Sequence, residues 1–191
     1  MAEIEFIEPV VRICAVISRH DDARDWGIQT LQDAWGAIAH QTAPLPFPAG
    51  GFYDSEMGPG LQKVIVAFQA LCDCGELADW KLATNEWEKQ FARDSDHTEP
   101  RPLNLDCGYV TQAKLVLATT KDRDHRLYLR DGIFAEVTLN YVAKKWIHHR
   151  WSYPDYRTES VAEFATKSRN QVRAEVQRLG QIRIRQRSGG S

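Results

Sequence analysis

The chain has 191 residues and a net charge of −2 at neutral pH, with 43% apolar and 26% charged residues. That is the composition of a globular domain large enough for one proper core, and its charge balance gives no overall pull towards nucleic acid or an anionic membrane. No apolar run approaches a membrane span, and the opening Met-Ala-Glu-Ile-Glu-Phe has neither the basic nor the apolar region of a signal peptide, so a cytoplasmic protein with no membrane partner is expected.

In chain order, Val10–Ser18 is a β-branched run that reads as a buried strand. Asp21 and Asp22 then offer caps for a helix whose Ile28, Leu31, Trp35 and Ile38 make one apolar stripe, with His20 and His40 as surface residues at its ends. Pro44, Pro46 and Pro48 keep the next segment extended, and Gly50-Gly51 bends it into a polar-aromatic loop, Phe52 to Gly60, that contains Tyr53, Asp54 and Glu56. Gln62–Leu71 is a second strand. Asp73 caps a second helix, striped by Leu77, Trp80, Thr84, Trp87 and Phe91. His97 lies in a charged loop with no partner evident in the sequence, and Pro102 opens an extended segment. Thr111–Thr119 fits a short capped helix or a strand equally well.

Asp131-Gly132 between two β-rich runs marks a hairpin. A three-residue loop, Arg130–Gly132 with Gly132 left-handed, pairs Leu129 with Ile133, Leu127 with Ala135, Tyr128 with Phe134 and Arg126 with Glu136. It separates apolar from charged side chains, whereas a two-residue loop puts Leu127 opposite Glu136. Tyr141–Trp151 is basic and aromatic, and Tyr153-Pro154-Asp155-Tyr156 is a turn. Ser160 with Glu163 forms a capping box for a last helix that stops at Gly180. A single α+β domain over 1–180 with a basic flexible tail over 181–191 follows. The element order suggests a ferredoxin-like βαββαβ core with an added β-hairpin and a C-terminal helix, which leaves one sheet face open or partly covered.

No phosphate-binding Gly-Lys-Ser/Thr loop, dinucleotide fingerprint, metalloprotease helix or serine-hydrolase elbow occurs. The Thr119-Thr120-Lys121-Asp122 stretch, faintly like a guanine-reading motif, has no phosphate cradle. What remains is a set of polar groups on three glycine-punctuated segments. Glu56, Asp106, His125 and Glu136 are the catalytic candidates, and Tyr53, Asn104, Tyr109, Lys121 and Arg126 the ligand-binding ones. Carboxylates with one imidazole suit Mg or Mn, and Lys with Arg suits a phosphate. Cys14, Cys72, Cys74 and Cys107 form no paired Cys-x-x-Cys knuckles and read as reduced thiols.

Several stretches resemble one uncharacterised bacterial family, the domain of unknown function 4416. They are Phe52-Tyr53-x-x-Glu56-Met57-Gly58-x-Gly60-Leu61, Lys81-Leu82-x-Thr84-Asn85-Glu86, Asn104-Leu105-Asp106-x-Gly108-Tyr109, the run from Leu117 through His125-Arg126 to Leu129, Gly132 to Leu139, and Tyr153-Pro154-Asp155-Tyr156-Arg157. The resemblance covers most of Val10 to about Arg173 and implies a bacterial, cytoplasmic protein with no established activity. Cys74 and Cys107 stand where the family pattern looks like proline, and Cys72 where it looks aliphatic.

Two functional readings stand. In one, a binder or enzyme holds a small phosphorylated or nucleotide-like ligand between the Tyr53–Glu56 loop, Asp106–Tyr109 and the hairpin. In the other, an RNA-binding or protein-interaction module uses the open sheet face with Tyr128, Phe134 and Lys144–Arg150. Whether the chain is an enzyme, and its oligomeric state, are left open by the sequence.

Overall fold

The computed structural model describes residues 7–48, 50–51 and 53–180. The basic tail expected over 181–191, and Phe52 of the polar-aromatic loop, lie outside them. The first half of the chain runs β1 (Val10–Ser18), α1 (Asp21–Trp35), β2 (Ile38–Gln41), β3 (Leu45–Pro46), α2 (Asp54–Met57), β4 (Gln62–Cys72) and α3 (Leu77–Asp94). The second half runs β5 (Asn104–Val110), β6 (Lys114–Thr119), β7 (Leu127–Arg130), β8 (Ile133–Val142), β9 (Lys145–His148) and α4 (Glu159–Arg178). The protein is thus mixed α and β. Among the described residues nine strands form one antiparallel sheet in the order β2-β4-β1-β5-β6-β8-β7, with β3 also on β4 and β9 also on β8.

The uninterrupted apolar run of β1 is explained by helices on both faces. Val10, Cys14 and Val16 point to the layer of α1 and α3, where they meet Leu31, Trp80 and Phe91. Val11, Ile13 and Ala15 point the other way and are covered by Val161, Phe164, Val172 and Val176 of α4. A strand buried on both sides has no reason to alternate. Of the two expectations for the second face, open or partly covered by the C-terminal helix, the central strands follow the second, with α4 over them.

Several local expectations need correction. Thr111–Thr119 resolves as strand from Lys114 onward. Ile38 belongs to β2 and not to the helix stripe, because α1 ends at Trp35 before the left-handed Gly36. Asp21 and Asp22 sit inside the first turn of α1 instead of capping it. Asp73 does cap, its carboxylate accepting from the Gly75 N–H at 2.8 Å. Thr158 replaces Ser160 as the cap of α4, accepting from the Val161 N–H at 3.4 Å.

The hairpin combines both registers considered. Its tip is a two-residue turn, with Asp131 and Gly132 both at positive φ and Arg130 paired with Ile133. A bulge at Leu129 then restores the pairing of Tyr128 with Phe134 and Leu127 with Ala135. The extra residue keeps the faces sorted where a plain two-residue loop would have inverted them.

One irregularity positions everything that follows. β5 pairs with β1 along its whole length but with β6 only from Gly108 to Val110. β6 pairs with β8 from Lys114 to Thr119, so its outer residues Ala118 and Thr119 have a partner in β8 but none in β5. Past Gly108, β5 and β6 diverge. A Cβ on Gly108 would lie 2.2 Å from the Val116 carbonyl oxygen, so this glycine lets the strands touch where the divergence begins.

Candidate functional site

The divergence opens a cavity of about 110 Å³ in the sheet. Asn104 and Asp106 of β5 stand on one side, and Ala118 and Thr119 of β6 with Glu136 of β8 on the other. Asn104 and Asp106 are two apart on a strand and so share a face. Lys63 of β4 reaches in from a fully buried position, and Lys81 and Asn85 enter from α3. The roof is aromatic: Phe47, Tyr53, Tyr153 and Tyr156, the last two from the 3₁₀ turn region at Pro154–Arg157. A wider outer pocket of about 470 Å³ shares Phe47, Tyr53, Lys121, Arg126 and Tyr153 with the inner one and adds Pro48, Arg123 and Pro154.

Two polar networks hold the walls. In the first, Lys81 donates to the Leu105 carbonyl at 2.8 Å and to Asp106 at 3.3 Å. Arg101 donates to Glu88 at 2.9 Å and to the Asn104 amide oxygen, and Asn104 donates to Asp106 at 3.0 Å. Glu88 closes the ring by accepting the Leu105 N–H at 2.8 Å and lying 3.8 Å from Lys81. In the second, Glu136, 3% exposed, accepts from Arg126 at 2.9 Å and contacts the His125 Nε2 at 3.0 Å. Buried charges persist only when paired in this manner.

The titration behaviour follows from these contacts. Burial acts against the Asp106 carboxylate, yet Lys81, Arg101 and the Asn104 amide hold its pKa below the ordinary value. Burial likewise acts against the Lys81 ammonium, but the Asp106 and Glu88 carboxylates outweigh it and raise its pKa. Lys63 differs: burial pulls it down to about 7, with Asp106 opposing. It is held by an ion pair with Asp155 and sits 3.7 Å over the Tyr156 ring. Tyr53 is pushed up to about 12 by burial, with Tyr153 adding to the effect.

Five cationic side chains line the inner cavity: Lys63, Lys81, Arg101, Lys121 and Arg126. Four carboxylates answer them, with Asp106 and Glu136 on the wall and Glu88 and Asp155 paired to wall residues. Tyr156 is 5% exposed, and its hydroxyl has no hydrogen-bond partner among the described residues. An unpartnered buried hydroxyl is unfavourable by about 1–3 kcal/mol. Tyr156 is among the residues that line the cavity.

Of the residues singled out in the sequence, Tyr53, Asn104, Asp106, Lys121, Arg126 and Glu136 are brought together on this cavity. Three are not. Glu56 is exposed on α2, and only its backbone carbonyl takes part, accepting the Arg101 N–H at 2.9 Å. Tyr109 lies three residues from Asp106 and so projects to the opposite face, against the α1–α3 core. His125 stands behind Glu136, stacked on Trp151 at 4.8 Å and bonded to Asp124 at 2.9 Å. Gly108 accommodates strand β6 rather than a ligand.

The residues missed were Lys63, Lys81, Glu88, Arg101, Tyr153, Asp155 and Tyr156. A signal existed for two of them: Lys81 and Glu88 fall among Leu77, Trp80, Thr84 and Phe91, on the buried stripe of α3. Among the described residues the three-ligand group placed to hold a metal is His20, Asp22 and His97, none of which lines the cavity. Cys14 and Cys107 face each other across β1 and β5, and burial pushes both thiols up, Cys107 to about 12. They behave as small apolar core residues.

Among the described residues no helix is long and apolar enough to cross a membrane. No curated protein and no solved structure matches the chain. A family model described as Domain of unknown function (DUF4416) matches residues 8–172. Because that match spans most of the chain and every wall of the cavity, the chain belongs to the DUF4416 family.

Proposed function

We propose that the chain takes a small phosphorylated, nucleotide-like ligand into this cavity, with its phosphate inward. The observation that carries the reading is a cavity lined by five cationic side chains, with Tyr156, whose buried hydroxyl has no partner among the described residues, in the same lining. The inner volume suits a phosphoryl-sized group, and the larger outer pocket, walled by Phe47, Tyr53, Tyr153 and Pro154, suits a ring or sugar. Lysine and arginine supply charge-assisted hydrogen bonds to phosphate oxygens. In support of a ferredoxin-like core, β2-β4-β1-β5 are neighbours in that order, with α1 between β1 and β2 and α3 between β4 and β5.

A thermal-shift screen of nucleoside monophosphates and sugar phosphates, followed by calorimetry, tests this. A ligand that binds only the folded chain raises its melting temperature. Tyr156→Phe should keep the fold and lower affinity about tenfold to a hundredfold, the value of a hydrogen bond to a charged group. If no phosphorylated compound shifts melting at millimolar concentration, or the variant binds as well as wild type, the reading is wrong.

The interaction-module reading has one observation in its favour: Leu127 and Tyr128 on edge strand β7 are 71% and 63% exposed. Contact with RNA would weaken steeply with added salt, and pocket binding of defined stoichiometry would not.

A further inference from the structure

The loop after α3 carries Arg101 to the cavity, and it is fastened to the start of α1 by a cluster the cavity does not use. His97 Nε2 lies 3.0 Å from Asp22 Oδ2, and His20 Nε2 lies 3.2 Å from Glu99 Oε1. The two imidazoles stack at 4.1 Å, and donor atoms of His20, Asp22 and His97 all lie within 4.8 Å of one another. His97, which looked isolated in the sequence, is thus the centre of a group drawn from two segments 75 residues apart.

We propose that His20, Asp22 and His97 form a site for a divalent first-row transition cation of the zinc type. Two imidazoles with a carboxylate are the donor set that such ions prefer, whereas Mg²⁺ and Ca²⁺ take oxygen ligands almost throughout. Zinc holds nitrogen and oxygen at about 2.0–2.2 Å, so the three donors must draw closer together around a bound ion. The Asp22 side chain is largely exposed and those of His20 and His97 are partly so, which leaves the group open to solvent. Glu99 holds the His20 ring, as outer carboxylates commonly orient a ligating imidazole. The fourth position is left to water. The bound cation ties the N-terminus of α1 to residues 95–101. That loop is also held by Arg19 on Glu99 at 3.3 Å, by the Arg101 side chain on Glu88 and Asn104, by the Arg101 N–H on the Glu56 carbonyl and, just beyond it, by the Ser18 hydroxyl on the Pro102 carbonyl. The site therefore acts as a clip on the segment that presents Arg101.

The test is calorimetric titration of EDTA-treated full chain with Zn²⁺ or Mg²⁺, repeated on Asp22→Asn, His97→Gln and the double variant His20→Gln, His97→Gln. Wild type should take up one Zn²⁺ and ignore Mg²⁺. Asp22→Asn and His97→Gln should each bind at least tenfold more weakly, and the double variant not at all. Circular dichroism and melting in EDTA should show all four chains folded. Zinc should also slow hydrogen exchange over residues 95–101 in wild type alone. Absence of stoichiometric zinc uptake by wild type, or its survival in the double variant, overturns the proposal. So does a thiolate-to-cobalt charge-transfer band on Co²⁺ substitution, which would place the ion on cysteine.

Discussion

Lys63→Met probes the ion pair beneath the cavity. Methionine has nearly the length and volume of the lysine stem, so it fills the same space without a charge. Lys63 is fully buried and its partner Asp155 has a side chain only 5% exposed. The substitution therefore removes an ammonium whose burial is unfavourable and leaves a carboxylate with neither water nor counter-ion. Breaking a buried pair on one side costs about 3–5 kcal/mol. For a domain of this size each kcal/mol lowers Tm by about 2–4 °C, giving a fall of about 6–20 °C. The double variant Lys63→Met, Asp155→Leu leaves no charge behind and should recover to within about 1–2 kcal/mol of wild type. The Asp155 backbone carbonyl still accepts from the Thr158 hydroxyl in that variant, so the turn itself is retained. Urea denaturation followed by tryptophan fluorescence gives all four corners of the cycle. If Lys63→Met unfolds at the wild-type midpoint, or the double variant loses the sum of the two single effects, the pair is not a matched buried unit and the reasoning fails.

Gly108→Ala should destabilise by about 1–3 kcal/mol or more, because its Cβ would meet a backbone carbonyl oxygen that cannot step aside without parting β5 from β6; an unchanged urea midpoint would show that the strands have slack there. Asp106 has a folded pKa held below its ordinary value, so its contribution to stability is present above about pH 4 and is lost as pH falls through the folded value. Asp106→Asn should consequently be less stable than wild type at neutral pH yet lose less stability between about pH 5 and pH 2. Parallel acid limbs for the two proteins would contradict that assignment.

How far the sequence reached depends on whether a feature is set by neighbours along the chain. The β-branched run at Val10–Ser18, the Asp73 cap and the left-handed Gly132 are decided within a few residues, by sterics and local hydrogen bonds, and all three were legible. Strand parity was legible too: it places Asn104 and Asp106 on one face and Tyr109 on the other, so grouping all three was an avoidable error. Polar Lys81 and Glu88 on an apolar helix stripe were a further readable sign of buried charge.

The cavity itself could not be read that way. It exists because β6 keeps to β8 while parting from β5 beyond the Gly108–Leu117 pair, and because the turn at Asp155–Tyr156 returns over Lys63 across 92 residues of chain. Strand order and long-range closure set these contacts, and no local pattern encodes which distant charge will answer another. The sequence alone determined the elements, their faces and several of the polar groups. Only the tertiary structure decided which of them share a cavity, since a buried charge is tolerated where its partner arrives, and the partner arrives through the fold.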